Sequence, residues 1–167
     1  MIADIGNALS TYSQLALGLA GFSSVLIALS GKPSSWTRVD SFRITVLLAS
    51  SFLAVLISLL PPTLALFGIS DASLWRISLG VLALATLAIV LLAVYVFRRM
   101  PVADRAVLRV ALVYGICSLL VVSGLIEAYA GICALPSAAA VFFAGLVVLF
   151  AFSIYLIIRF LFARPTD

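Results

Sequence analysis

The chain has 167 residues, of which 65% are hydrophobic and only 10% are charged, with a formal net charge of +4. A soluble domain carries roughly 25% charged residues, so this composition excludes one. The apolar residues come in blocks of about 20 or more, long enough to cross a bilayer as helices. The short alternating strands of a membrane barrel are missing. The sequence therefore predicts an all-α integral membrane helical bundle.

We interpret residues 1–167 as a single transmembrane domain with five transmembrane helices and short connections. The expected helices cover residues 8–30, 38–60 with a bent extension to 68, 72–97, 102–129 and 136–162.

The second helix has the clearest boundaries. Thr37 and Asp40 have the spacing of a capping box, in which each side chain bonds to a free backbone N–H of the first turn. This spacing predicts a helix that begins near Arg38. Pro61-Pro62 lacks two backbone donors, so the helix is expected to kink or end there. Gly68 is the expected stop of the bent extension.

The basic residues predict the orientation in the membrane. With five helices, nine of the ten Lys and Arg residues fall on one side: Lys32, Arg38, Arg43, Arg98, Arg99, Arg105, Arg109, Arg159 and Arg164. Arg76 alone falls on the other side. Because cytoplasmic loops carry an excess of Lys and Arg, we expect the N-terminus outside and the C-terminus in the cytosol.

Small residues at every fourth position predict faces where helices pack. Such spacing lets two helix backbones approach closely in lipid. The rows are Ala16, Ala20, Ser24 and Ala28 in the first helix, and Ala140 and Ala144 in the fifth.

A second set of side chains is the candidate ion pathway. It consists of Gln14, Gly18, Gly21, Arg43, Ser51, Ser58, Ser123 and Glu127. The hydroxyls and Gln14 also have the pattern of plain contacts between helices. Arg43, with Arg109 and Arg159, either reaches lipid headgroups or faces a cytosolic vestibule that attracts anions.

Glu127 is expected at or just below the outer interface. There it either belongs to a pore mouth or takes up a proton, or it pairs with Arg76 or contacts water. The third helix has Thr86 as the one polar residue of its middle. We expect no site on that helix.

Few residues suit catalysis. There is no histidine, the one lysine is Lys32, and Cys117 and Cys133 form no metal or redox motif. Paired carboxylates for acid–base work are also missing. We therefore expect no enzyme, no metal and no cofactor. The basic residues sit at helix ends, which excludes a nucleic-acid partner.

The remaining predictions are a homo-oligomeric channel or passive conduit for small ions, with anions as one option, in contact with the lipid bilayer. The alternative is a non-catalytic scaffold or accessory subunit that binds the transmembrane helices of a partner.

A further pattern consists of Trp36-x3-Asp40-x2-Arg43, an apolar helix ending at Pro61, and Leu74-Trp75-Arg76. It loosely resembles a group of small bacterial polytopic integral membrane proteins and covers roughly the first half of the chain. The resemblance implies a bacterial inner membrane and no particular activity.

Overall fold

The computed structural model describes residues 2–29, 37–108, 110–133 and 135–162. The side chains at 2–5, 23, 26–29, 106–107 and 160–162 lie outside this description. Every regular element in the described ranges is a helix. The helices are α1 (Ile2–Leu29), α2 (Arg38–Ser58), α3 (Leu60–Leu66), α4 (Asp71–Arg98), α5 (Val102–Val107), α6 (Val110–Cys133) and α7 (Ala138–Phe162).

Four helical segments among the described residues are long and apolar enough to cross a membrane. They are Arg38–Leu66, which joins α2 and α3, then Asp71–Arg98, Val110–Cys133 and Ala138–Arg159. The protein is therefore an all-helical, multi-pass membrane protein with four candidate spans.

The N-terminus of α2 has the capping box predicted by the sequence. The Asp40 backbone N–H donates to Thr37 Oγ1 at 3.1 Å, and the Thr37 N–H donates to Asp40 Oδ2 at 3.2 Å. Two of the backbone donors that a helix start leaves free are thus satisfied, and α2 begins at Arg38.

The break after α2 comes from Pro61-Pro62. These prolines lie in the first turn of α3, where their missing N–H groups would have no partner within the helix. α2 consequently ends at Ser58. Gly68, with a positive φ of 72°, follows α3 and turns the chain toward α4.

The largest differences from the expected helix boundaries concern α1, α5 and α6. α1 begins at Ile2 and not near residue 8. The helix expected at 102–129 is divided into α5 and α6, with Leu108 in a turn. The Arg105 guanidinium donates to the carbonyls of Met100 and Arg98 and so ties α5 to the end of α4.

α6 also runs to Cys133, four residues beyond the expected end. Gly131 allows this stretch to lie flat on α4, since a Cβ at Gly131 would stand 3.3 Å from Leu79 Cβ. The next residue that disfavours helical structure is Pro136, because a proline restricts the backbone of the residue before it to extended conformations.

The bundle is organised around α2, which packs against α1, α4 and α7, and around the long contact between α4 and α6. Leu, Val and Phe side chains fill the space between these helices, among them Val46, Leu79, Leu82, Phe142 and Leu146. This apolar packing fixes the positions of the few buried polar groups.

Candidate functional site

The best-defined polar site surrounds Glu127 on α6. Its side chain is only 1% exposed. Ser123, one turn earlier on the same helix, donates a 2.8 Å hydrogen bond to Glu127 Oε1. Thr86 on α4 places its Oγ1 3.4 Å from Glu127 Oε2. Gly145 on α7 leaves room for the carboxyl, because a Cβ there would stand 2.5 Å from Oε1. Three helices thus meet at one acidic group.

The structure corrects the expected depth and partners of Glu127. Thr86 lies near the middle of α4 (Asp71–Arg98), so the carboxyl beside it lies inside the bundle and not at the outer interface. Among the described side chains, no ion pair joins Glu127 to Arg76, and Arg76 is exposed. The prediction that the third helix contributes no site residue is also wrong for Thr86, which is buried against this carboxyl.

A cavity of about 520 Å³ lies at the end of the bundle that holds the start of α4 and the end of α6. Its walls include Pro61, Trp75, Arg76, Ala130 and Pro136. Ala130 is three residues from Glu127, a rise of about 4.5 Å along the helix. One residue of the cavity wall therefore lies about one turn along α6 from Glu127.

Arg43 occupies the opposite end of the bundle and is 3% exposed. Its Nη1 lies 3.8 Å from Asp40 Oδ1, which makes it the ion-pair partner of the capping residue. A small cleft of about 40 Å³ is lined by Arg43, Arg159 and Tyr155 together with apolar side chains. Two arginines thus line one cleft. Arg109, the third member of the expected arginine group, lies outside the described residues.

Ser50, Ser51 and Ser58 of α2 are buried inside the protomer. Ser50 Oγ lies 2.8 Å from Ser153 Oγ of α7. Ser58 donates to the carbonyl of Val55 at 2.7 Å. Among the described residues, the buried hydroxyls of Ser51 and Ser78 have no hydrogen-bond partner. Of these serines, Ser51 and Ser58 were candidate pathway residues.

The candidate pathway residues of α1 face away from the rest of the protomer. One face of this helix is buried in the protomer through Leu9, Tyr12, Ala16 and Ala20. The opposite face is exposed between Asn7 and Gly21 and carries polar or small residues at alternating steps of four and three: Asn7, Thr11, Gln14, Gly18 and Gly21. We call these five residues the outer stripe of α1.

The structure thus separates the candidate pathway residues into groups. Ser123 and Glu127 come together. Gln14, Gly18 and Gly21 lie on the outer stripe, away from Arg43, Ser51 and Ser58, which are buried in the protomer.

Taken together, the two rows of small residues also contain both buried and exposed positions. Ala16 and Ala20 pack inside the protomer, whereas Ser24, Ala140 and Ala144 are exposed. The side chain of Ala28 lies outside the described part of the chain.

Sequence reasoning missed Thr86 and Gly145 at the acidic site, and Asn7 and Thr11 on the outer stripe. The stripe had a readable signal, since its steps of four and three continue from Gln14 back to Asn7. Thr86 had a weaker one, as the lone polar residue in the middle of an apolar helix. Within the described ranges, no group of three potential metal ligands is present.

Comparison with known proteins gives no further information about the site: no family model, no curated protein and no solved structure matches the chain.

Proposed function

We propose that the protein is a homo-oligomeric membrane conduit for small ions, in which copies of the chain meet through the outer stripe of α1. The observation that carries this proposal is the exposure of Asn7, Thr11, Gln14, Gly18 and Gly21 on the face of α1 that turns away from its own bundle.

The proposal takes α1 as a fifth membrane span. α1 has 28 residues, which correspond to about 42 Å of helix and exceed the roughly 30 Å hydrocarbon core. In the orientation that we propose, the five spans run from an N-terminus outside to a C-terminus in the cytosol of a bacterial inner membrane. The distribution of Lys and Arg supports this orientation.

In a bilayer the outer stripe needs a protein partner. The amides of Asn7 and Gln14 each offer both donors and acceptors, which lipid tails cannot satisfy. Gly18 and Gly21 have no atom within 4 Å of a Cβ position, so another helix can approach closely there.

A second copy of this chain suits the stripe best, because an amide can pair with an identical amide. The helix face is therefore complementary to itself. Three or more copies leave an axis between them that is lined by Thr11, Gln14 and the glycines.

The end of the protomer that holds Arg43 and Arg159 favours anions. Both arginines line one cleft, and rings of Arg or Lys attract anions at the mouths of pores. In an oligomer, the clefts of the several copies surround one end of the axis.

A non-catalytic scaffold is the second candidate. The observation in its favour is the dense apolar filling between α2, α4 and α7, which supports no polar path through a single protomer. In that case the outer stripe would bind the helix of a different protein.

Native mass spectrometry from lipid nanodiscs, followed by ion flux into liposomes, tests the proposal. Gly18→Ile is expected to reduce both the oligomer and the flux, because it fills the contact without touching the protomer's own core. Gly115→Ile is the matched control, since Gly115 on α6 is also exposed and has equally open space at its Cβ.

A wild-type monomer, or a Gly18→Ile variant that assembles and conducts normally, would remove the stripe from the proposal. A stable oligomer without flux of any small ion would favour the scaffold.

A further inference from the structure

The hydroxyl of Thr86 has two potential acceptors and one proton. Its Oγ1 lies 3.0 Å from the carbonyl oxygen of Leu82, one turn back on α4. The same Oγ1 lies 3.4 Å from Glu127 Oε2. Since a threonine hydroxyl can donate only one hydrogen bond, the shorter contact with Leu82 takes its proton. A hydrogen bond across the longer contact then takes its proton from the carboxyl of Glu127.

A neutral Glu127 satisfies every contact at the site. Oε2–H donates to Thr86 Oγ1, Thr86 donates to the Leu82 carbonyl, and Ser123 donates to Oε1 at 2.8 Å. An ionised carboxylate would instead be buried with two hydroxyl donors at most, and burying a charge without a cation is costly.

The helices around Glu127 bring no compensating charge to it. Their described ionisable groups are Asp71, Arg76, Tyr95 and Arg98 on α4, Tyr114, Cys117, Tyr129 and Cys133 on α6, and Tyr155 and Arg159 on α7. No hydrogen bond or ion pair joins any of these described groups to Glu127. Tyr129, two residues away, is exposed and so points out of the bundle.

We propose that Glu127 is a reversible proton-binding site inside the bundle, with Thr86 and Ser123 as its partners and with access from the cavity that ends at Ala130. Ala130, which lines the cavity of about 520 Å³, is three residues along α6 from Glu127. A proton released from Oε2 passes to water in that cavity. The Thr86 hydroxyl then turns from Leu82 to donate to the carboxylate.

The two protonation states join α4 and α6 differently. In the neutral state the carboxyl donates to Thr86, and in the ionised state Thr86 donates to a charged acceptor, which makes a shorter and stronger hydrogen bond. Proton binding therefore changes the contact between the two helices. The site lies within one protomer, so it does not depend on the proposed oligomer.

Glu127 is the one glutamate in the sequence, and this permits a direct test. Protein labelled with ¹³C at the glutamate carboxyl and reconstituted in lipid bilayers is studied by solid-state NMR across a pH series. The expected result is the signal of a neutral carboxylic acid at neutral pH, which converts reversibly to that of a carboxylate on addition of alkali. The Glu127→Gln variant identifies the signal by its loss.

Three variants test the partners. Thr86→Val is expected to shift the carboxyl signal and the pH at which it converts, because it removes the acceptor of the acid proton. Thr86→Ser keeps the hydroxyl and is expected to behave like the wild type. Ser118→Ala is the matched control, since the Ser118 hydroxyl on α6 is exposed and bonds to its own helix at Tyr114.

A carboxylate signal at neutral pH would overturn the proposal. If the position of that signal then changed on addition of sodium, the site would bind a metal cation and not a proton. A neutral acid that never converts at any pH at which the protein stays folded would also contradict reversible binding.

Discussion

Gly145 on α7 lies directly against the carboxyl of Glu127 on α6. A methyl group at Gly145 would stand 2.5 Å from Glu127 Oε1 and 2.8 Å from Leu82 Cδ2. The absence of a side chain at this one position therefore lets three helices close around a buried acid. A Cβ at residue 145 would force the ends of the Glu127 and Leu82 side chains to move away from α7.

Gly145→Ala is expected to lower the free energy of unfolding by about 1–3 kcal/mol, the usual cost of overpacking a core. The measurement is SDS-induced unfolding in mixed micelles. Gly115→Ala is the control, because its Cβ meets open space. Replacing an exposed helical glycine by alanine should stabilise the helix, by up to about 1 kcal/mol.

The contact between Gly145 and Glu127 also predicts that the stability cost of a substitution at one of these residues depends on the other. In a Glu127→Ala background the carboxyl oxygen is gone, so Gly145→Ala should cost less than in the wild type. Leu82 can move aside by rotating its side chain. Equal costs of Gly145→Ala in both backgrounds would show that the contact with Glu127 is energetically unimportant.

Local features of this fold could be read from the sequence. The capping box of Thr37 and Asp40, the break before Pro61-Pro62 and the turn at Gly68 each depend on residues within a few positions of one another. Such signals are decided by backbone donors and allowed φ angles, which a sequence states directly.

The acidic site could not be read in the same way. Thr86 and Glu127 are separated by 41 positions, and Gly145 belongs to a third helix. In a membrane both the lipid-facing and the buried faces of a helix are apolar, so periodicity does not reveal which face points inward. The outer stripe shows the same limit, since its residues were recognised as small and polar but not as facing away from the protomer.

The hydroxyl pair of Ser50 and Ser153 joins α2 to α7 at 2.8 Å. Each serine also lies near a carbonyl of its own helix, Leu47 at 2.9 Å and Leu149 at 3.0 Å. Two protons thus serve three contacts, so one hydroxyl donates across the interface and the other donates back to its helix.

Ser50→Ala and Ser153→Ala are each expected to lower the free energy of unfolding by about 1 kcal/mol or less. Their coupling in a double-mutant cycle should be close to about 0.6 kcal/mol, the average for hydrogen bonds between membrane helices. SDS unfolding of the four proteins in the cycle provides the measurement. Additive effects of the two substitutions would mean that the pair contributes nothing across the interface.

α1 is attached to α7 through Tyr12. The Tyr12 hydroxyl donates to the carbonyl oxygen of Leu146, and its ring packs edge-on against Phe150 with centroids 5.8 Å apart. Tyr12→Phe keeps the ring and removes the hydrogen bond, at an expected cost of about 0.5–1.5 kcal/mol. Because the loss is local, hydrogen exchange should speed up in α1 and stay unchanged in α4 and α6. Uniform changes in all helices would contradict a local attachment.

Asp40 combines two roles that substitutions can separate. Its carboxylate accepts from the backbone N–H and the hydroxyl of Thr37, and it also lies 3.8 Å from the buried guanidinium of Arg43. Thr37→Ala removes the cap and keeps the charge, so it should cost about 0.5–2 kcal/mol of stability. Asp40→Asn keeps an acceptor for the cap and removes the charge.

Because Arg43 is 3% exposed, Asp40→Asn leaves a buried cation without its partner, and breaking a buried pair in this way costs about 3–5 kcal/mol. We expect Asp40→Asn to destabilise the protein more than Thr37→Ala in SDS unfolding. The double variant Asp40→Asn, Arg43→Gln removes both charges and should recover part of the loss. If Thr37→Ala destabilised the protein more than Asp40→Asn, the main role of Asp40 would be in the helix cap. If the double variant recovered no stability, a stabilising ion pair between Asp40 and Arg43 would be excluded.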